Sequence, residues 1–477
     1  METAFSEYWP HLTLATVLDI VIVAVFIPWV LLSKKDSTAT VAWCLVVLLM
    51  PLIGALLFWV FGNNYLLHRV RHQRDKRTGG HHRHAAEVGP RCESDEDQDL
   101  RALAERVKAY PARPGNAVTV YHDTELAFAT LLDDIGQARQ YVHLEYFILR
   151  SDATGERLLQ LLTRKAKEGI EVRLLFDALG SLHLKDRMLR PLREAGGQIA
   201  AFLPLNPLYS LIRINLRNHR KITVVDGRVG FTGGMNIGDE YLGKSPRLGY
   251  WRDCFLRMEG PGVTDLQRVF SEDWQFTREE TLSEEKYAPP QPEAGKVCVQ
   301  IADSGPDQET NTIREIYFLA IINARHRLWI ASPYLVPDSG LFDALRAARY
   351  RGVDVRILTL LRPDHYISYY AGMYYGAQML DLGVKVYLYR KGMMHAKLMM
   401  VDGQWGMVGS ANLDNRSLHL NFEIGCMLHD AEQVAQLETA YERDLEDAIP
   451  LDQQAVAQRS LKSRALENAC RLFTPAL

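Results

Sequence analysis

Residues 217–241, RNHRKITVVDGRVGFTGGMNIGDEY, and residues 393–417, MMHAKLMMVDGQWGMVGSANLDNRS, are two versions of one pattern. Each version has a histidine two residues before a lysine and seven residues before an aspartate, and a glycine-rich turn with an asparagine follows at equal distance. One such triad would be a weak signal, but two copies in register predict a duplicated domain that carries a site. The matched residues are His219, Lys221, Asp226 and Asn236 in the first copy, and His395, Lys397, Asp402 and Asn412 in the second.

The chain around these motifs also repeats. Residues 169–175 recur as residues 352–358, each after an amphipathic stretch and each with the composition of a buried strand. Upstream, residues 138–149 match residues 324–336. Strands that alternate with helices imply βαβ units and a mainly parallel sheet in each half. We therefore expect two similar α/β domains, at 117–290 and 291–450, with the site at their interface.

The N-terminal residues differ from the rest in being apolar. Residues 12–32 and 40–61 are each long enough to cross a bilayer as a helix, which predicts two transmembrane helices within 1–62. A cleavable signal peptide would need a basic start, whereas this one carries Glu2 and Glu7. Asp19 is given no function.

Charge asymmetry predicts the orientation of these helices. Residues 68–77 hold five basic residues, against Lys34 and Lys35 in the short loop between the helices. The catalytic domains are therefore expected on the cytoplasmic side of a multi-pass protein of the inner (plasma) membrane.

Composition excludes several classes of protein. The 477 residues carry 55 Lys+Arg and 58 Asp+Glu, a net charge of −3, which disfavours nucleic-acid binding by bulk charge and excludes wholesale disorder. The six cysteines form no Cys-x-x-Cys pair, which predicts free thiols in a reducing compartment. The charged segment 63–116 reads as a linker, with a short helix near residues 100–110. Its His81, His82 and His84 could bind a metal, although a solvated linker is the favoured interpretation.

The spacing of the motif separates the roles of its residues. On a strand, a histidine and a lysine two residues apart point the same way. The aspartate lies seven residues on, about 23 Å along a straight strand. Asp226-Gly227 and Asp402-Gly403 resemble hairpin turns, so both aspartates are interpreted as needed for the local architecture of the motif. Asp253 and Glu423 are the better candidates to hold a second imidazole nitrogen.

Two further stretches could serve a membrane. Residues 211–220 alternate apolar residues with arginines, which fits either a lip for anionic headgroups or an ordinary strand with one wet face. Residues 451–477 contain an amphipathic helix with basic residues between its apolar positions. Packing on the second domain and lying at a membrane interface are equally supported for this helix.

The paired motifs resemble the phospholipase D superfamily, and their surroundings are similar to its bacterial cardiolipin synthases. The resemblance implies two similar phospholipase D-like domains with mixed sheets packed face to face, preceded by a transmembrane hairpin. It implies that two phosphatidylglycerol molecules become cardiolipin and glycerol through a phosphatidyl-histidine intermediate, with no metal and no cofactor. His219 is by resemblance the nucleophile, although the two halves alone do not decide this. The other histidine would act as acid and base, and both lysines and both asparagines would hold phosphate oxygens.

The resemblance also bears on partners and on rival functions. It implies phosphatidylglycerol and membrane lipid as partners, no nucleic acid, and leaves a homo-oligomer open. A phospholipase D that hydrolyses or transphosphatidylates other lipids would use the same histidines, and the choice between water and lipid alcohol is the least determined point. A scaffold would have lost part of a triad, and the Asp-Gly-x-x-Ala-Arg pattern of the CDP-dependent route does not occur.

Overall fold

A computed structural model describes residues 2–33, 37–62, 92, 98–204, 216–474 and 477. One compact unit contains the N-terminal helices, and another contains the chain described from residue 92 onward. The basic residues 68–77, the linker histidines at 81, 82 and 84, and residues 211–215 of the predicted lip lie outside the described residues.

The N-terminal unit is helical. Helix α1 spans Glu2–Ser33, and its segment Leu14–Ser33, with mean hydropathy 2.5, is long and apolar enough to cross a membrane. The second predicted span is interrupted because Pro51 has no N–H to continue a helix. It consists of α2 (Ser37–Leu49), α3 (Pro51–Leu57) and a π-helical turn at Phe58–Gly62. The structure therefore supports one of the two predicted spans directly.

The two helical runs of this unit pack on each other through apolar side chains. Val30 of α1, Val47 of α2 and Phe58 of the π-helical turn are fully buried in one cluster. This contact is what a helical hairpin requires.

The larger unit contains two α/β halves. The strands of the first half are β1 (Arg113–Asp123), β2 (Tyr141–Tyr146), β3 (Glu171–Asp177), β4 (Gln198–Phe202), β5 (Ile222–Val225), β6 (Val229–Gly233) and β7 (Tyr250–Glu259). Those of the second half are β8 (Val297–Ser304), β9 (Arg327–Ala331), β10 (Leu335–Val336), β11 (Asp354–Leu360), β12 (Lys385–Tyr389), β13 (Gly392–Met394), β14 (Leu398–Val401), β15 (Trp405–Gly409), β16 (Leu413–Asp414), β17 (Glu423–Leu428) and β18 (Ala448–Pro450).

Helices cover these strands. Helix α4 (Gln98–Arg106) precedes the first half in the chain, but its Leu100 and Ala104 are buried in the core of the second half, against the helix Thr312–Asn323. In the first half the helices are α5 (Thr124–Gly136), α6 (Ala153–Lys167), α7 (Asp186–Glu194), α8 (Gly262–Arg278) and α9 (Glu284–Tyr287), with a 3-10 turn at Asp239–Leu242. In the second they are α10 (Thr312–Asn323), α11 (Ser339–Tyr350), α12 (Tyr366–Asp381), α13 (Asn415–His419), α14 (Ala431–Glu446), α15 (Gln453–Ala457) and α16 (Leu461–Arg471).

One large mixed sheet runs through both halves. Its order is β18-β12-β11-β9-β14-β15-β17-β8-β1-β7-β6-β5-β2-β3-β4, with β13 paired to β7. Strands β1 and β8 join the halves edge to edge, and β6 and β7 also lie against β15 and β17. The mixed α/β fold predicted from the sequence is confirmed. The expectation of a mainly parallel sheet is wrong, because parallel pairing is concentrated in the outer strands β2-β3-β4 and β9-β11-β12 and most other neighbouring strands are antiparallel. The Asp-Gly hairpins contribute two of the antiparallel pairs, β5 with β6 and β14 with β15.

The repeated segments fold as the sequence predicts. Residues 169–175 and 352–358 form most of the buried strands β3 and β11, each preceded by an amphipathic helix, α6 or α11. Apolar side chains from these helices and strands, such as Leu345 and Ile357, are fully buried in the core of the second half.

The prediction of free thiols is wrong for two of the six cysteines. Cys92 and Cys298 form a disulfide, with Cα atoms 6.0 Å apart. Cys44, Cys254, Cys426 and Cys470 are free. The two bonded residues are 206 positions apart, so no local spacing indicated their pairing.

Candidate active site at the interface of the two halves

Both His-x-Lys segments lie just before a strand. The sequence predicts that each segment lies within a strand. His219 and Lys221 precede β5, and His395 and Lys397 lie between β13 and β14. The reason is that each segment leaves its own sheet to pair with the other half. The N–H of His219 donates to the carbonyl of Phe422 at 2.8 Å.

The second histidine has the same kind of backbone partner. Strand β13 pairs in parallel with β7, and the N–H of His395 donates to the carbonyl of Arg252 at 2.7 Å. The residues that follow these two carbonyls, Glu423 and Asp253, are the predicted orienting carboxylates. Backbone pairing between the halves therefore brings each carboxylate to the histidine of the other half.

Each histidine is held through Nδ1. His219 Nδ1 lies 3.0 Å from Oε2 of Glu423 and 3.1 Å from the carbonyl of Ser410. His395 Nδ1 lies 2.6 Å from Oδ2 of Asp253. The two carboxylates and the carbonyl can only accept a hydrogen bond, which places the ring proton on Nδ1 and the lone pair on Nε2. Nζ of Lys397 also lies 2.8 Å from Nδ1 of His395, but the carboxylate of Asp253 is the closer partner and takes the Nδ1 proton. No hydrogen bond joins either Nε2 atom to another residue in the described ranges.

Burial sets the protonation of this site. The pKa of His219 is lowered to about 4, since burial disfavours the imidazolium and Lys221 adds to this, while Glu423 opposes it. Burial and Lys397 also lower the pKa of His395. Burial alone would raise the pKa of Glu423, but His219 and Lys221 outweigh it and hold the value at about 2. The resting site thus contains two neutral imidazoles and an ionised Glu423.

The lysines are buried beside the histidines. Lys221 is completely buried and Lys397 is 1% exposed, and each Nζ donates to the backbone carbonyl of its own histidine. Burial lowers the pKa of Lys221 to about 7 and that of Lys397 to about 8, although nearby carboxylates oppose the shift.

Aromatic rings flank both imidazoles. The ring of Phe147 lies 4.8 Å from that of His219, and the ring of Trp251 lies 4.8 Å from that of His395. Apolar walls of this kind lower the local dielectric, which strengthens charge interactions at the site.

The motif aspartates lie at hairpin turns, away from the imidazoles. Asp226 has φ +53° and accepts hydrogen bonds of 2.8–2.9 Å from the backbone N–H groups of Arg139, Gln140 and Tyr141. Asp402 has the same φ, and its partners are the N–H groups of Arg325, His326 and Arg327. Each aspartate therefore fixes the start of the adjacent strand, β2 or β9, as expected from the spacing.

The two asparagines are buried at the ends of their glycine-rich turns. Asn236 Oδ1 accepts the N–H of Ile148 at 3.2 Å, and Asn412 Nδ2 donates to Asp414 at 3.1 Å. The buried Oδ1 atom of Asn412 has no hydrogen-bond partner within the described ranges.

The sequence placed Arg220 in the predicted headgroup lip or on a strand with one wet face, and both interpretations are wrong for this residue. Its fully buried guanidinium bonds Asp273 of the first half and Asp303 of the second, at 2.5 and 2.8 Å, and its Nε donates to the carbonyl of Glu423 at 3.1 Å. Arg220 therefore joins the two halves beside His219 and anchors the residue that holds that histidine. The signal was the difference between the motifs, since the second copy has Ala396 at this position.

Ser410 was not predicted from the sequence. Its hydroxyl donates to Oε2 of Glu423 and accepts the N–H of Ile424 at 2.9 Å, so it fixes the carboxylate that holds His219. The first half has Gly234 at the matching position, where a Cβ would lie 2.0 Å from Oδ1 of Asp253.

A duplicated mixed α/β fold with paired His-x-Lys motifs at the interface defines a phospholipase D-like enzyme. A family model described as "Cardiolipin synthase, PLD-like domain" matches residues 131–274 and 318–445, and a "Phospholipase_D-nuclease N-terminal" model matches residues 14–63. The chain belongs to the phospholipase D-like cardiolipin synthase family.

Relatives match nearly the whole chain. A cardiolipin synthase of Geobacillus sp. (strain WCH70) is 38% identical, covering 99% of this chain and 96% of that protein. The major cardiolipin synthase ClsA of Bacillus subtilis (strain 168) is 36% identical, covering 93% and 95%. The crystal structure of phosphatidylserine synthase from Haemophilus influenzae Rd KW20 has a TM-score of 0.61 at 16% identity, covering 80% of this chain and all of that one. This last likeness concerns the fold.

Proposed function

We propose that this chain is a membrane-bound phosphatidyltransferase that condenses two phosphatidylglycerol molecules into cardiolipin and glycerol. The observation that carries the proposal is the pair of neutral imidazoles, each held at Nδ1 by a carboxylate from the other half. This arrangement supplies one nucleophilic Nε2 atom and one acid-base Nε2 atom within a single site. Membership of the cardiolipin synthase family supports the choice of substrate.

The first half-reaction forms a covalent intermediate. Nε2 of His219 attacks the phosphorus of one phosphatidylglycerol, and the bond from phosphorus to the headgroup glycerol oxygen breaks. His395 donates its Nε2 proton to that oxygen, so glycerol leaves and phosphatidyl-His219 remains. The carboxylate of Glu423 stabilises the positive charge that develops on the His219 ring.

The second half-reaction reverses these steps with a new alcohol. Nε2 of His395 takes the proton from a headgroup hydroxyl of the second phosphatidylglycerol, whose oxygen attacks the phosphorus. The bond from phosphorus to His219 breaks, and cardiolipin leaves. No metal or cofactor enters either step.

The charges of the buried groups explain how His395 obtains its proton. With both lysines protonated and both imidazoles neutral, Glu423 and Asp253 balance Lys221 and Lys397. A phosphodiester adds one negative charge to this balanced site, which raises the pKa of the nearby imidazoles and favours uptake of one proton. The two lysines then face the non-bridging oxygens, with Asn236 and Asn412 as further contacts. Asp226 and Asp402 support the motif through its turns.

We also propose the organisation of the chain. Residues 1–62 form the membrane part with two crossings, 63–116 a linker, 117–290 and 291–450 the two phospholipase D-like domains, and 451–477 a C-terminal segment with an amphipathic helix. Support comes from the apolar segment Leu14–Ser33 and from the family match at 131–274 and 318–445. The basic residues at 68–77 favour a cytoplasmic location for the domains.

The decisive experiment uses the purified full-length protein with phosphatidylglycerol as sole lipid. The expected products are cardiolipin and glycerol in equal amounts, and His219→Ala and His395→Ala should each abolish their formation while the melting temperature is kept. Phosphatidic acid as the main product would replace this proposal by a lipid hydrolase. Near-normal turnover in either histidine variant would rule out the two-histidine mechanism.

A further inference from the structure

The C-terminal helix α16 packs along α12. Cys470 lies in a buried cluster with Ala371 of α12, and Arg471 donates to the hydroxyl of Tyr374. Packing on the second half, one of the two interpretations that the sequence left equal, is thus present. It accounts for one face of the helix.

This helix buries a carboxylate and exposes its leucines, which is unusual for a helix at a water-exposed surface. Its inward face buries Glu467, which is 6% exposed and accepts a hydrogen bond from Arg459 at 2.9 Å. Leu461 and Leu466 on the helix, and Leu472 and Phe473 directly after it, are 82%, 41%, 73% and 56% exposed. A water-exposed surface helix normally buries its leucines and exposes its charges.

Further exposed groups surround these apolar side chains. Lys462 and Arg464 are exposed on α16. The supporting helix α12 begins with Tyr366 and Ile367, which are 62% and 48% exposed. Single exposed leucines are ordinary, but several beside a buried carboxylate indicate an apolar environment on the outer side.

We propose that the surface formed by Leu461, Leu466, Leu472 and Phe473, here called the C-terminal apolar surface, inserts into the interfacial region of a bilayer that contains anionic lipid. Apolar side chains interleaved with Lys462 and Arg464 match the acyl boundary and the anionic headgroups respectively. A second copy of this chain fits less well, because a self-complementary contact would bring these cations together. The N-terminal helix is long and apolar enough to hold the chain at a bilayer.

The surface is connected to the active site through α12. The residues just before α12 include Asp364, which accepts the hydroxyl of Tyr334 at 2.6 Å and is close enough to Lys397 to raise its pKa. Insertion of the surface would therefore hold this side of the site at the bilayer, where a lipid substrate is located. This consequence rests on the proposed function, whereas insertion itself does not.

Photo-crosslinking tests the insertion without catalysis. The full-length chain, with Phe473→p-benzoylphenylalanine, is reconstituted in vesicles of phosphatidylglycerol and phosphatidylethanolamine and irradiated. The matched control is Tyr350→p-benzoylphenylalanine on α11, where the native side chain is 73% exposed. Lipid adducts are expected at position 473 and not at 350. Equal lipid yields at both positions, or adducts at 473 only with a second protein chain, would overturn the proposal.

A kinetic comparison gives a second readout. Leu472→Asp should raise the apparent KM for phosphatidylglycerol in vesicles by roughly tenfold, as one apolar side chain no longer enters the bilayer, and should leave kcat in detergent micelles unchanged. Tyr350→Asp is the control and should change neither value. An unchanged KM in vesicles would contradict insertion, whereas a chain that makes no cardiolipin under any condition would contradict the proposed function and leave the crosslinking result intact.

Discussion

Nδ1 of His219 lies 3.0 Å from Oε2 of Glu423, although 204 residues separate the two in the chain. The matching pair, His395 and Asp253, is 142 residues apart and is also formed between the halves. Neither half contains a complete site, because the carboxylate that orients each imidazole belongs to the other half. Docking of the halves and assembly of the site are therefore one event.

Glu423→Gln and Asp253→Asn should each lower kcat by about 10²–10⁴-fold, because a neutral amide cannot stabilise an imidazolium and can favour the wrong tautomer. Both amides nearly keep the shape of the native side chain, but each leaves a buried lysine without its counter-charge, so the melting temperature should fall as well. Steady-state kinetics and thermal unfolding of the purified variants provide the measurement. Glu442→Gln, at an exposed position of α14, is the control and should match the native enzyme. A variant that keeps a near-native kcat would contradict the orienting role.

Asp226→Ala and Asp402→Ala should lower the melting temperature as well as activity. Each carboxylate accepts three backbone N–H groups, and alanine is strained at the native φ of +53°. We expect a loss of about 1–3 kcal/mol of unfolding free energy. Asp226→Asn keeps the backbone conformation and part of the hydrogen bonding, and should lose less. A fully stable but inactive Asp226→Ala would instead make the aspartate a direct member of the reaction.

Features that depend on neighbouring residues could be predicted from the sequence, whereas contacts between the two halves could not. The turns at Asp226 and Asp402, and the strands β3 and β11, depend on local patterns: an Asp-Gly pair, an apolar run, a preceding amphipathic helix. The pairing of β13 with β7 and the edge contact of β1 with β8 depend on how two folded halves meet, which no local pattern records.

Two errors have different origins. The apolar composition of residues 40–61 outweighed Pro51, so the interruption between α2 and α3 was missed. The Cys92–Cys298 disulfide joins residues too distant for spacing to reveal.

Arg220→Lys should reduce kcat by roughly 10–100-fold with little change in KM, since small displacements of catalytic groups have effects of this size. Lysine keeps the charge but cannot bond Asp273, Asp303 and the carbonyl of Glu423 together. Arg257→Lys is the control, because Arg257 pairs with Asp134 within the first half only. The measurement is kcat, KM and the melting temperature of both variants. Equal kcat in the two variants would mean that Arg220 acts on stability alone.

The disulfide predicts the number of free thiols that can be titrated. Protein purified and unfolded without reductant should titrate four thiols per chain, and six after reduction. Reductant should also lower the melting temperature, since a crosslink across 206 residues stabilises by about 5 kcal/mol in the chain-entropy model. The Cys92→Ser variant should melt at a temperature that reductant does not alter. Six titratable thiols before reduction would show that all six cysteines are free, as the sequence predicts.

The last prediction follows from the protonation of His219. Its pKa is about 4 in the folded chain against 6.5 when unfolded, so between these values the unfolded chain binds a proton that the folded chain does not. Stability must therefore fall as pH decreases from 6.5 to 4, and this contribution is constant above 6.5. The buried Glu423, with a pKa of about 2 against 4.5, extends the loss to lower pH.

His219→Gln removes the titrating group and should flatten the decline of stability between pH 6.5 and 4, by up to about 3 kcal/mol at the acid end. Melting curves in detergent at half-unit pH intervals provide the measurement. The control is His183→Gln, at an exposed loop position, which should follow the native curve. Other buried histidines, such as His143, also have a lowered pKa and contribute to the loss of stability at low pH. The test is therefore the difference in slope of stability against pH between the native chain and His219→Gln. Identical slopes for the native chain and His219→Gln would mean that this imidazole is not held neutral by burial.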